Sequence, residues 1–163
     1  MEFLEKVSRL LNQGLLWIAG CLLAVMIILT CGNIFCRVVW VPIRGTFELM
    51  GYLGAVITAF ALGYTQIRRG HISVDIVVLG FPKKIQGLLN GINGILCGAF
   101  FSMIGWEVAK YAGNLRSTGE VTETLRIIYY PFTYAVALGC FSLTLVFLVE
   151  ALRSFSGKQG ESA

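Results

Sequence analysis

One histidine occurs in the 163 residues, within Arg68-Arg69-Gly70-His71-Ile72-Ser73-Val74-Asp75, the most polar short run between two long apolar ones. An imidazole four positions from a carboxylate can hold a turn by bonding Asp75 or a loop carbonyl, or it can exchange a proton near neutral pH. A relay would need a second titratable group at depth to receive the proton, and the flanking apolar runs contain none. The fixed turn is the favoured reading and pH sensing the alternative. Arg68 and Arg69 would stop the preceding run at the headgroups, and Gly70 permits a change of direction that a branched residue resists. Ser73 or Asp75 could then cap a short interfacial helix over residues 74–81.

A second group of charges, Arg37, Arg44 and Glu48, brackets the first short loop. At a membrane interface an Arg37–Glu48 ion pair would form without full desolvation; contact with a partner protein is the other reading. Glu107 and Glu150 also fall near the ends of apolar runs. Catalytic chemistry finds no footing. A single histidine cannot build a bis-histidine haem within one copy, and no His/Asp/Glu cluster suggests a metalloenzyme. Cys21, Cys31, Cys36, Cys97 and Cys140 form an odd set without a CxxC pair and read as small buried hydrophobes. No cofactor, metal or substrate site is expected, and the chain is read as a non-enzyme.

The elements that must position these residues are set by composition. Hydrophobic residues make up 56% of the chain and charged ones 13%, with a mean hydropathy of +0.77. Soluble domains carry about a quarter charged residues, and a chain of this size has too little interior to hide so much apolar surface from water. The net charge of +4 is split into short clusters rather than one basic face, which argues against nucleic acid.

Four apolar runs, approximately 14–36, 47–66, 88–109 and 127–149, are each long enough at about 1.5 Å per residue to cross a hydrocarbon core of about 30 Å. The expected fold is therefore an all-α integral membrane protein, one membrane domain over 1–163, with four transmembrane helices and short interfacial amphipathic helices. The leader, approximately 2–12, has Phe3, Leu4, Val7, Leu10 and Leu11 at helical spacing, as a helix lying on the surface would. Its mixed charge and the long run behind it favour a retained anchor over a cleaved signal. Pro82 suits the first turn of the third helix, and no strong breaker follows until Gly113.

Orientation follows from basic residues. Lys6, Arg9, Arg68, Arg69, Lys83, Lys84, Arg153 and Lys158 lie on the side of the termini, against Arg37, Arg44, Lys110, Arg116 and Arg126 on the other. Eight against five places both termini in the cytoplasm. Trp17, Trp40, Trp106, Tyr129 and Tyr130 fall near run ends, as belt residues do.

In lipid, apolar area gives helices little reason to associate, so small residues that admit close backbone approach matter. Gly51, Ala55, Ala59 and Gly63 step by four along the second run. Gly87, Gly91, Gly94, Gly98, Ser102 and Gly105 step by threes and fours along the third, and Ala135 and Gly139 lie on the fourth. Internal packing and docking of a larger partner are both open for these stripes. Asn33, Thr58, Thr65, Asn90 and Asn93 are expected to hydrogen-bond between helices.

The order Asn33-Ile34-Phe35-Cys36-Arg37-Val38-Val39-Trp40, then Pro42-Ile43-Arg44-Gly45-Thr46-Phe47-Glu48, an apolar span and Arg68 to Asp75 resembles the small membrane subunit of tripartite ATP-independent periplasmic (TRAP) transporters. The resemblance covers nearly the whole chain and rests on Arg37, Glu48, Gly70, His71, Val74 and Asp75, with Arg69 alongside. Such subunits often show an Ile-Pro pair and a tryptophan entering the fourth span; here Ile127, Ile128, Tyr130 and Pro131 stand there instead. The resemblance implies a bacterial inner-membrane uptake system of three parts. A large permease subunit moves organic acids by an elevator-like motion and holds the sodium sites; a periplasmic binding protein delivers the cargo; the small subunit is a scaffold. The rival readings are a membrane anchor of a redox complex, which would bind haem or quinone, and a self-assembling carrier, which would need a charge at mid-span.

Overall fold

The computed structural model describes residues 2–68 and 83–155. Four antiparallel helices hold nearly all of them: α1 (Glu2–Val39), α2 (Thr46–Ile67), α3 (Lys83–Thr118) and α4 (Tyr130–Phe155). All four are long and apolar enough to cross a membrane. The architecture is all-α, and among the described residues the isolated Val121–Ile128 bridge is the only β pairing.

The helices form an open array rather than a closed square. α3 packs on α4, α4 on α2 and α2 on α1, with a lighter contact between α1 and α4. The buried cluster of Leu15, Ala19, Val56 and Phe60 sits where α1, α2 and α4 meet, and Phe132, Ala135 and Val136 close it. Outside it, α3 lays its bare face on α4. Gly94 faces Ala151 and Phe147, Gly98 faces Phe147, and Gly105 faces Cys140 and Phe141. Gly139 makes the tightest contact with another helix's backbone: a Cβ there would stand 2.7 Å from the Ala59 carbonyl oxygen, so only glycine lets α4 approach α2 this closely.

Three expectations change. The leader is not a separate surface helix, because α1 runs unbroken from Glu2 to Val39. Ser8, Asn12, Leu15 and Ala19 form its inward stripe and are buried, whereas Phe3, Leu4 and Leu10 are exposed. The apolar face drawn from the sequence points away from the bundle, where lipid can solvate it, and the small polar residues point in.

The third span is longer than 88–109. The helix passes Gly113 and stops at Gly119, whose φ of 67° and N–H bond to the Leu115 carbonyl at 3.1 Å make a left-handed end. The fourth begins at Tyr130 rather than at residue 127, with Pro131 in its first turn where a missing N–H costs nothing; Ile127 and Ile128 belong to the preceding hairpin. The interfacial segment expected at 74–81 lies outside the described residues.

Candidate functional site: polar ends around an uncharged middle

The end of the bundle where α1 finishes and α2 begins is built on the short loop between them. Asn33 Oδ1 accepts the Ile43 N–H at 2.8 Å, and the Thr46 hydroxyl donates to the Ile43 carbonyl at 2.8 Å, folding the loop back onto α1. Gly45 has φ 78°, and a Cβ on it would overlap the Leu125 side chain, so the glycine is required both for its backbone and for the residue covering it. The Glu48 carboxylate then accepts the N–H of Thr124 at 2.8 Å and of Leu125 at 3.3 Å. It clamps the loop between α3 and α4 onto the start of α2.

That loop is itself closed. Thr122 donates its N–H to the Ile127 carbonyl at 3.0 Å, and its hydroxyl oxygen accepts the Ile127 N–H at 3.1 Å. Arg126 takes a left-handed φ of 52° at the turn. The ring of Tyr129 stacks on Tyr52 at 5.5 Å, and its hydroxyl donates to Glu120 at 2.6 Å. The hydrogen bond to the Glu120 carboxylate holds the Tyr129 phenol well above its ordinary value of 10, with further contributions from desolvation and from nearby Tyr111 of α3.

At the opposite end, Glu5 accepts from Arg9 at 2.8 Å and from Arg153 at 3.3 Å, and Gln66 donates to Glu150 at 2.8 Å. These contacts tie α1 to α4 and α2 to α4 beside a shallow recess floored by Ile67, Val146 and Val149. Such half-exposed pairs contribute modestly to stability.

Between the ends, residues 10–36, 49–67, 85–106 and 127–149 carry no charge. The buried polar side chains there are engaged internally. Asn12, fully buried, donates to the Ser8 carbonyl at 2.9 Å and accepts the Ser142 hydroxyl at 2.9 Å. A Cβ on Gly63 would overlap Asn12 Oδ1, so the missing side chain in α2 houses the amide from α1. Among the described residues no group of His, Cys, Asp and Glu could hold a metal ion, and no buried side-chain polar atom lacks a partner.

The residues singled out in the sequence fall in different places. Glu48 is a clamp on backbone amides, not the partner of Arg37, which lies exposed in the last turn of α1 and makes no ion pair among the described residues. The expected pair gives way because two aligned N–H groups reach the carboxylate first. Arg69, Gly70, His71, Val74 and Asp75 lie outside the described residues.

The α2 stripe divides. Ala59 and Gly63 are buried while Gly51 and Ala55 are exposed, because a four-residue step overshoots the 3.6-residue turn by about 40° and drifts around the helix. Gly91, Gly94 and Gly98, spaced by three and four, stay on one buried line facing α4. Thr58 and Thr65 bond the carbonyls of Gly54 and Ala61 in their own helix, and Asn93 accepts only from Cys97, so the interhelical role expected of them passes to Asn12, Ser142, Gln66 and Glu150.

A family model matches residues 26–157: tripartite ATP-independent periplasmic transporters, DctQ component. The chain belongs to this family. No curated protein and no solved structure matches it. The DctQ match runs from the middle of α1 through α4, so the last part of the first span, the other three spans, the Glu48 clamp and the closed hairpin lie within it, while Glu5 and Asn12 precede it. A DctQ-family chain with four such helices is a multi-pass membrane protein and the small component of a tripartite transporter.

Proposed function

We propose that this chain is a non-catalytic scaffold for the large permease subunit of a tripartite transporter in the bacterial inner membrane, with both termini cytoplasmic. In this reading the large subunit holds the sodium and cargo sites, and a periplasmic binding protein delivers an organic acid. The observation that supports it best is the uncharged middle: the described spans carry no charged side chain, and their buried side-chain polar atoms all have partners. The redox-anchor alternative would need a pair of haem ligands, and the chain has one histidine. The open helix array fits the same division of labour, since α1 and α3 each leave a broad apolar face for lipid or a larger protein.

Reconstitution in liposomes tests the proposal. The chain alone should move no solute, the chain with the large subunit and binding protein should take up an organic acid with sodium, and variants that alter sodium stoichiometry should map to the large subunit. Uptake by this chain unaided would overturn it.

A further inference from the structure

Charge and hydropathy change together at the end of the bundle that carries the termini. On α1 the uncharged run begins just after Arg9; on α2 it ends at Ile67, before Arg68; on α4 it ends at Val149, before Glu150. The recess between these three helices straddles that boundary. Its floor is Ile67 and Val149, the last uncharged residues of their runs, with Val146 about one turn deeper, and its rim is Glu5, Arg9, Glu150 and Arg153. One turn of α1, about 6 Å, separates Glu5 from Arg9, which matches the headgroup layer of about 5–7 Å beyond each face of the hydrocarbon core. A molecule entering from the bilayer meets apolar side chains at the inner edge and charges at the depth of the lipid phosphates.

The rim charges are separated by sign. One oxygen of Glu5, Oε1, accepts from both Arg9 at 2.8 Å and Arg153 at 3.3 Å, so this trio keeps one net positive charge. Each guanidinium has five N–H donors and commits one of them to Glu5, which leaves donors for a further anion. Glu150 instead accepts from the neutral amide of Gln66 at 2.8 Å and makes no ion pair among the described residues. The recess therefore offers a cationic side and an anionic side above an apolar floor.

We propose that the recess binds a phospholipid whose headgroup carries a primary ammonium, phosphatidylethanolamine in kind. Arg9 and Arg153 take its phosphate, for which the guanidinium fork is suited, Glu150 takes its ammonium, and the apolar floor carries its glycerol end. An ammonium brings three N–H donors to the carboxylate, a choline headgroup brings none, and an anionic glycerol headgroup brings no cation. Because α1, α2 and α4 all contribute to the recess, a bound lipid ties the three together and stabilises the folded chain by mass action. The site goes beyond the scaffold reading and requires only that the helices cross a bilayer.

Native mass spectrometry of the full chain in detergent, with phosphatidylethanolamine, phosphatidylcholine and phosphatidylglycerol added in equal amounts, tests the site. Phosphatidylethanolamine should be retained about tenfold better than phosphatidylcholine, and Glu150→Gln, which keeps an acceptor for Gln66, should abolish that preference. Arg153→Gln should weaken retention of both zwitterionic lipids about tenfold, with part of the loss recovered in Arg153→Lys. Arg9→Gln, at the more exposed of the two arginines, supplies the same readout if Arg153→Gln fails to fold. Equal retention of the two zwitterionic lipids, better retention of phosphatidylglycerol, or a preference that survives Glu150→Gln would overturn the site. Free phosphoethanolamine binding as tightly as the lipid would overturn it too, assigning the rim to a soluble phosphate. So would loss of the retained lipid on assembly with the large subunit, which would give the recess to a side chain of that protein.

Discussion

Ser142 of α4 donates its hydroxyl to Asn12 Oδ1 of α1 at 2.9 Å, across 130 positions of sequence and over the bare Cα of Gly63 in α2. Three helices thus meet at one amide with its acceptor used and its donor satisfied locally. Asn12→Ala should cost about 0.6–2 kcal/mol, the range for a hydrogen bond between membrane helices, because Ser142 can turn to a carbonyl of its own helix. Unfolding in mixed detergent measures it. Coupling to Ser142→Ala should appear as a double mutant costing less than the sum of the singles.

Glycines at packed and at open positions should behave oppositely. Gly63→Ala and Gly139→Ala place a methyl group on Asn12 and on the Ala59 backbone and should destabilise by about 1–3 kcal/mol. Gly51→Ala meets nothing within 4 Å and should be neutral, or stabilising by up to about 1 kcal/mol through helix propensity. Thermal unfolding of the three variants side by side decides the matter.

Glu48→Gln leaves a single carbonyl acceptor for two N–H groups. Amide exchange at Thr124 and Leu125 should quicken while the amides of α2 and α4 keep their protection. Arg37→Gln should change stability by no more than about 0.5 kcal/mol, since Arg37 makes no ion pair among the described residues. A double-mutant cycle between Arg37 and Glu48 that gave appreciable coupling would contradict the geometry.

The Tyr129 phenol is held above its ordinary value of 10, first by its bond to Glu120. Because the folded value is raised, the contribution of this group to stability is fully present below about pH 10 and is lost as pH climbs through the raised value. Protection of the hairpin amides should therefore be flat across neutral pH and fall only on strongly alkaline titration. Tyr129→Phe, which keeps the ring stack on Tyr52, should lower the plateau and remove that alkaline step.

The spans were legible in the sequence because hydropathy reports on the solvent, and the solvent of these helices is lipid. Glu48 was legible as an interfacial residue, but its partners were not: a carboxylate in a first turn can take a guanidinium or a pair of amides, and only the path of residues 119–129 chooses between them. Asn12 was missed for a related reason. In water the apolar residues Phe3, Val7 and Leu10 would mark the packed face of the leader; in lipid that rule loses its force, and Ser8 and Asn12 turn inward instead. The threonines misled because a hydroxyl in a helix finds the carbonyl four residues back closer than any neighbouring helix.

The chain pairs α1 with α2 and α3 with α4, each a couple of sequence neighbours, and joins the couples along the α2–α4 seam where Gly139 meets Ala59, with the Asn12–Ser142 bond and the buried cluster beside it. Each couple can zip together soon after insertion, so biogenesis reduces to two helical hairpins followed by one late docking event. Two separately expressed halves, cut between α2 and α3, should accordingly recombine in the bilayer, and a methyl group at Gly139 should block the reunion while leaving each half intact.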